Sequence, residues 1–506
     1  MGQDLFSALS AASPAPEKVV LTTPEGRRLT YDDLFAMARR FAHLLALRGV
    51  GPGDRVAVQV EKSPEALALI LGVAAAGAVV LPLNTAYTKG EVDFFVGDAT
   101  PRVLVATPAR ASELGAVATR HSSRLETLGT ESDGSLAGAL AGADAAFKPV
   151  RRAGSDLAAI LYTSGTTGRA KGAMLSHDNL VANARTLVEV WRFSEHDVLI
   201  HALPIFHTHG LFVATNTLLL AGGSMLFLER FDAETVVRLM PQATAMMGVP
   251  TYYTRLLAHP DFDRALSASM RLFISGSAPL SAEVHKAFFA RTGHAILERY
   301  GMSETGMNTS NPYAGERRPG TVGLPLPDVQ LRITEPETGA VRPPGEVGVI
   351  EVKGPNVFAG YWGLEEQTEE AFRADGWFVT GDLARIDDDG YVHIVGRDKD
   401  LIISGGFNVY PAEVEAHLDA LAGVAESAVI GVPHPDLGEG VTAVVALEPG
   451  AKLSENEVRQ ALAGELAGFK QPKRVFFVPT LPRNAMGKIQ KVSLRETYRD
   501  TYASGG

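Results

Sequence analysis

Eleven consecutive residues, Tyr162-Thr163-Ser164-Gly165-Thr166-Thr167-Gly168-Arg169-Ala170-Lys171-Gly172, carry five hydroxyls, three glycines and two cations. Glycine lets a backbone turn tightly and aim successive N–H groups at one point, which makes an anion nest. The hydroxyls add donors and Lys171 adds a charge. This composition suits a polyphosphate, although a flexible surface hairpin would also use glycine. The spacing Gly165-x-x-Gly168-x-x-Lys171 is not that of a Walker A loop. Ala173-Met174-Leu175 reads as a strand, so the loop is expected to join two strands and to work without a helix dipole.

Four further runs could do chemistry. Leu297-Glu298-Arg299-Tyr300-Gly301-Met302-Ser303-Glu304-Thr305 sets an aromatic ring beside a glycine, suited to stacking a purine, and adds carboxylates. Mg²⁺ takes one or two carboxylates plus phosphate oxygens, although a helix cap in an ordinary core would look similar. Thr380-Gly381-Asp382 reads as a tight turn whose carboxylate suits ribose hydroxyls. Gly396-Arg397-Asp398-Lys399-Asp400 followed by Gly405-Gly406-Phe407 joins a charged linker to a glycine-rich turn. Gly487-Lys488 places a flexible point charge in a loop near the C-terminus.

The elements that must position these groups follow from periodicity. Thr30 or Asp32 caps an amphipathic helix from Tyr31 to Arg48, and Ser63-Pro64 opens another, from Pro64 to Ala76. Apolar strands at 55–60, 78–81 and 102–106 alternate with helices, which predicts mostly parallel, doubly wound sheets with ligand loops at the strand ends. Residues 133–148 read as a surface connection. Short strands after about residue 315 indicate a small β subdomain. The charged linker divides an N-terminal domain, 1–396, from a small α+β lid, 397–506, with helices at 411–420 and 455–467.

The chain has 506 residues, 46% of them apolar, enough for at least two cores. A net charge of −11 argues against a nucleic-acid binder. The absence of cysteine excludes disulfides and a thiolate nucleophile. The uncharged run Ala66–Leu83 is broken by Gly72, Gly77 and Pro82, so a buried helix and strand are expected, not a membrane span. No signal peptide is evident at the N-terminus, and a cytoplasmic location is expected.

In order and spacing, these motifs resemble those of the adenylate-forming acyl-CoA synthetases over nearly the whole chain. Thr163, Ser164, Gly165, Thr166, Thr167, Gly168 and Lys171 match that family's phosphate loop. Tyr300-Gly301-Met302-Ser303-Glu304 matches its adenine and Mg²⁺ motif, with Ser303 where threonine is frequent. Asp382 and Arg397 match its ribose contacts, Lys399 its hinge and Lys488 its catalytic lysine. Segments 201–210, 248–256, 271–280 and 298–307 look like those of malonyl-CoA synthetases within the family.

The resemblance implies ATP, Mg²⁺ and coenzyme A as ligands and an acyl-adenylate intermediate. Lys488, Glu304 and Lys171 would be catalytic, Glu304 would hold the metal, and Ser277, Ala278, Glu298 and Arg299 would join the nucleotide site. Gly405, Gly406 and Phe407 would flank coenzyme A. A second substrate carboxylate needs a buried cation: Arg255 is favoured and Arg299 is the alternative, assisted by His207, His209 and Ser277. Thr208 and Met307 would bound the space around C2 and admit or refuse methylmalonate. Rival readings are a synthetase for another short or aromatic acid, a peptide-synthetase adenylation domain, and a nucleotide sensor. Oligomeric state is not legible.

Overall fold

The computed structural model describes residues 3–130, 133–163, 170–397, 400–404, 407–463, 465–466, 468–484 and 487–503. The first expected helix runs over Tyr31–Leu47, where Thr30 and Asp33 form a reciprocal capping box. Pro64–Ala75 is capped by Ser63 and buried along its whole length, as its continuous apolar sequence requires. No described helix is long and apolar enough to cross a membrane. Residues 133–148 are not merely a connection: Ser135–Leu140 is a helix that inserts Leu136 into the core.

Two large sheets make up most of the molecule. In the six-stranded sheet, Arg55–Gln59, Val79–Pro82, Val103–Ala106, Arg124–Thr127 and Leu157–Thr163 run parallel, and Lys171–Ser176 returns antiparallel beside Leu157–Thr163. The two expected strands are therefore present, with Thr163 paired opposite Lys171. In the nine-stranded sheet, Val198–His201, Ala245–Gly248, Leu272–Ser275 and Leu297–Met302 are parallel neighbours. Their C-terminal ends open on one side, so His207–His209, Pro250, Ser277 and Ser303 all follow strand ends there.

The four-stranded antiparallel sheet holds Gln330–Thr334, Gly348–Lys353, Phe378–Ile386 and Val392–Arg397. Asp382 does not lie in a tight turn: Phe378–Ile386 is one strand, bulged where Val379 and Leu383 face Glu351 and Val349. Gly381 takes φ +71° in the bulge, a conformation that favours glycine. Beyond Arg397 the next strand, Ile402–Ser404, belongs to a smaller mixed sheet with Phe407–Val409, Val424–His434, Gly438–Leu447 and Arg474–Val478. Helices Pro411–Asp419 and Glu455–Ala463 pack on it, at the places expected for the two helices of this region. The molecule is thus α/β, a large N-terminal domain of sheets with a smaller C-terminal domain.

Candidate active site

Side chains from three of the sheets and from the C-terminal hairpin converge at the open strand ends. Glu304, 5% exposed, sits beside the strand pair Leu157–Thr163 and Lys171–Ser176, where Thr163 donates to its Oε1 at 3.4 Å and Tyr361 OH at 3.2 Å. Loss of solvation raises the Glu304 pKa. The Lys171 ammonium lies 4.9 Å from the Tyr361 ring centre, a cation–π distance. Tyr361 belongs to a segment running alongside Lys171–Ser176: Ala359 N–H donates to Met174, Met174 N–H to Gly360 and Trp362 N–H to Gly172. Ser164, Gly165, Thr166, Thr167 and Gly168 lie outside the described residues.

Tyr300 OH donates to Asp382 Oδ2 at 2.6 Å, and Arg397 Nε reaches Asp382 Oδ1 at 2.9 Å. Burial first, then the neighbouring Asp382, raises the Tyr300 pKa, so the phenol stays protonated. Glu298 is buried with Oε1 unpartnered, and loss of solvation pushes it up to about 8. Gly301 and Met302 continue the Tyr300 strand, and Ser303 meets Thr208 Oγ1 at 3.4 Å.

The two candidate anchors differ in placement. Arg255 does not meet the expectation of a buried cation: it is exposed in the last turn of Pro250–Leu257. Its side of the helix faces away from Tyr253 and Leu256, which fill the core. Arg299 is 4% exposed, its Nε and Nη2 have no partner, and loss of solvation lowers its pKa to about 9. Among the described residues no carboxylate pairs with it. Gly276 lies under the guanidinium, for a Cβ there would come within 2.2 Å of Arg299 Cζ. Ser277, at φ +69°, shares a 3.2 Å hydrogen bond with His209 Nδ1, and the buried His209 Nε2 is also unpartnered. Ala278 follows in the same turn.

His207 is lowered to about 3 by loss of solvation, then by Lys488 and Arg299, so it is neutral at pH 7. Lys488 is exposed as a residue. Loss of solvation around its ammonium, then Arg397, still lower its pKa, against Asp382 and Glu304. Met307 is buried, its backbone held by Asn183. Lys399, Gly405, Gly406 and the Phe407 side chain lie outside the described residues.

Two supports escaped the sequence reading. Tyr361 is 57 residues from Glu304, beyond the reach of any motif. Lys62 donates to His201 Nδ1 at 2.8 Å and to its carbonyl at 2.7 Å, and His201 Nε2 in turn faces Gly210 O at 3.0 Å. Gly210 lies in the π-helix His209–Thr215, so this buried pair braces the turn that presents His209. The only local hint was a lysine just after an apolar strand.

Lys171, Glu304, Tyr300, Asp382, Arg397 and Lys488 thus gather around one cleft at the strand ends. The AMP-binding enzyme family matches residues 9–362 and the AMP-binding enzyme C-terminal domain matches 413–488. The chain belongs to this family and is an adenylate-forming acid–CoA ligase, using ATP and coenzyme A. It is 39% identical to a feruloyl-CoA synthase of Amycolatopsis sp, over 94% of each chain. It is 33% identical to a malonate–CoA ligase of Arabidopsis thaliana, over 97% of this chain and 88% of that one. The crystal structure of ATP-bound MatB from Rhodopseudomonas palustris superposes with a TM-score of 0.97 at 57% identity, covering 99% of this chain and all of that one (100%).

Proposed function

We propose that the acid is malonate, with Arg299 holding its distal carboxylate. The observation that carries this is the buried guanidinium with two unpartnered N–H groups. An isolated buried charge is unfavourable, and a second substrate carboxylate compensates it, whereas a feruloyl ring would leave it unpaired. His209 Nε2 and Ser277 supply further polar atoms on the same side. Similarity to malonate–CoA ligases supports the reading, and similarity to a feruloyl-CoA synthase supplies its competitor.

In the first half-reaction the reacting carboxylate attacks the α-phosphorus of ATP and pyrophosphate leaves. Two anions meet, so neutralisation of charge governs the barrier. Lys488 contacts the carboxylate and α-phosphate oxygens in this reading, and Lys171 with the Thr163 hydroxyl faces the leaving phosphates. A carboxylate is already a nucleophile, so no general base is required, in keeping with neutral His207. Tyr300 stacks adenine, and Asp382 with Arg397 takes the ribose. Glu304 fits Mg²⁺: it is a buried carboxylate whose described neighbours are hydroxyls, and Mg²⁺ binds through few protein carboxylates plus phosphate oxygens and water. When bound, Mg²⁺ would neutralise charge on the β and γ phosphates. In the second half-reaction the coenzyme A thiol attacks the acyl carbon and AMP leaves, after the small domain has turned about Lys399. Thr208 and Met307 then bound C2 of the malonyl group.

ATP–pyrophosphate exchange should run with malonate well above acetate, butyrate, benzoate and ferulate. Arg299→Ala should cost malonate about 2–5 kcal/mol in kcat/KM, the usual effect of unpairing a buried charge, while Arg255→Ala should leave selectivity intact. Exchange that favours ferulate, or unchanged malonate selectivity in Arg299→Ala, would overturn the assignment.

A further inference from the structure

The loop that carries Lys488 is a hairpin closed at both ends. Arg483 and Ile489 form an antiparallel bridge. Asn484 N–H donates to Lys488 O at 2.9 Å, Gly487 N–H to Asn484 O at 2.9 Å and Lys488 N–H to Asn484 Oδ1 at 3.0 Å. Gly487 takes φ +74°, in the left-handed region that favours glycine. A Cβ on Gly487 would lie 3.6 Å from Thr251 Oγ1, so the turn faces the helix Pro250–Leu257 of the large domain.

One side chain ties this hairpin to the body of the small domain. Arg483 Nη1 donates to the Gly487 carbonyl, and Nη2 donates to Glu426 Oε2 on the strand Val424–His434. The guanidinium thereby links the peptide immediately before Lys488 to the small domain's sheet. Just beyond the hairpin, Lys491 pairs with Glu415 of the helix Pro411–Asp419 at 2.6 Å. Neither pair is buried, and exposed ion pairs add little stability. Their effect is geometric: a lysine has a long flexible stem, so the position of its ammonium depends on how firmly its backbone is held.

We propose that Arg483, oriented by Glu426, is a positioning residue for the adenylation step. It fixes the Gly487–Lys488 peptide so that the ammonium reaches the point where carboxylate and α-phosphate meet. The proposal rests on the reading of Lys488 given above. It makes a specific demand: because thioester formation does not use Lys488, loss of Arg483 should damage one half-reaction and spare the other.

The test measures both half-reactions in the full-length chain: malonate-dependent ATP–pyrophosphate exchange, and thioester formation from supplied malonyl-adenylate and coenzyme A. In Arg483→Ala the exchange rate should fall about ten- to a hundredfold, the range caused by displacing a reacting group by an ångström or less. Thioester formation should stay within about twofold of wild type, a change too small to signal lost transition-state contacts. Arg483→Lys, which keeps a charge and donors, should recover part of the exchange. Equal loss in both half-reactions, or unchanged exchange in folded Arg483→Ala, overturns the proposal. If Arg483→Ala does not fold, Glu426→Gln is judged by the same split, since it weakens the anchor and leaves the bond to Gly487. Lys488→Ala run alongside separates the failures: intact exchange there overturns the lysine's role, and no malonate exchange by wild type overturns the substrate.

Discussion

At the scale of single residues, the site is organised by a charge that the fold leaves uncompensated. Loss of solvation penalises the charged form of Arg299 and lowers its pKa. A guanidinium nevertheless stays protonated at neutral and mildly alkaline pH, so it should grip a dianion there. Gly276→Ala tests the same guanidinium sterically. The three atoms nearest to the added Cβ all belong to the end of the Arg299 side chain, so the protein should melt near wild type yet lose malonate preference.

At the scale of elements, the π-helix His209–Thr215 depends on Gly210, where a Cβ would lie 2.1 Å from the backbone carbonyl of Pro204. Backbone cannot yield as a side chain can. Gly210→Ala should therefore lower stability by about 1–3 kcal/mol and raise malonate KM as His209 shifts; a denaturation curve with a wild-type midpoint would contradict this. Elements such as Pro64–Ala75 and the pair Leu157–Thr163 with Lys171–Ser176 were legible in the sequence, because their caps and apolar runs are local signals. The bulge holding Asp382 was not: Thr-Gly-Asp reads as a turn until the partner strand Gly348–Lys353 is known. Arg255 misled for a similar reason. Which face of Pro250–Leu257 turns inward is set by packing of Tyr253 and Leu256, which sequence order alone does not reveal. Tyr300 and Asp382, 82 residues apart, meet only because two sheets abut.

At the scale of the whole molecule, one cleft has to serve two chemistries in turn. The charged linker at Lys399 is where the small domain should swivel, and proline there fixes φ. Lys399→Pro should keep ATP–pyrophosphate exchange and stop thioester release; normal thioester turnover by the folded variant would remove the hinge from the account. The segment Ala359–Trp362, which brings Tyr361 to Glu304, has a further effect on how the molecule meets its neighbours. Lys171–Ser176 is last in the six-stranded sheet, yet its outer backbone groups are already taken by that segment. An open strand edge is a template on which another chain can add. Among the described residues, the edge strand at the other end is Arg124–Thr127, where Thr127 N–H already donates to Ser135 Oγ. That strand is four residues long and carries Arg124 and Glu126 in an ionic cluster with Arg48, so recruitment of a foreign strand is discouraged there by charge and brevity.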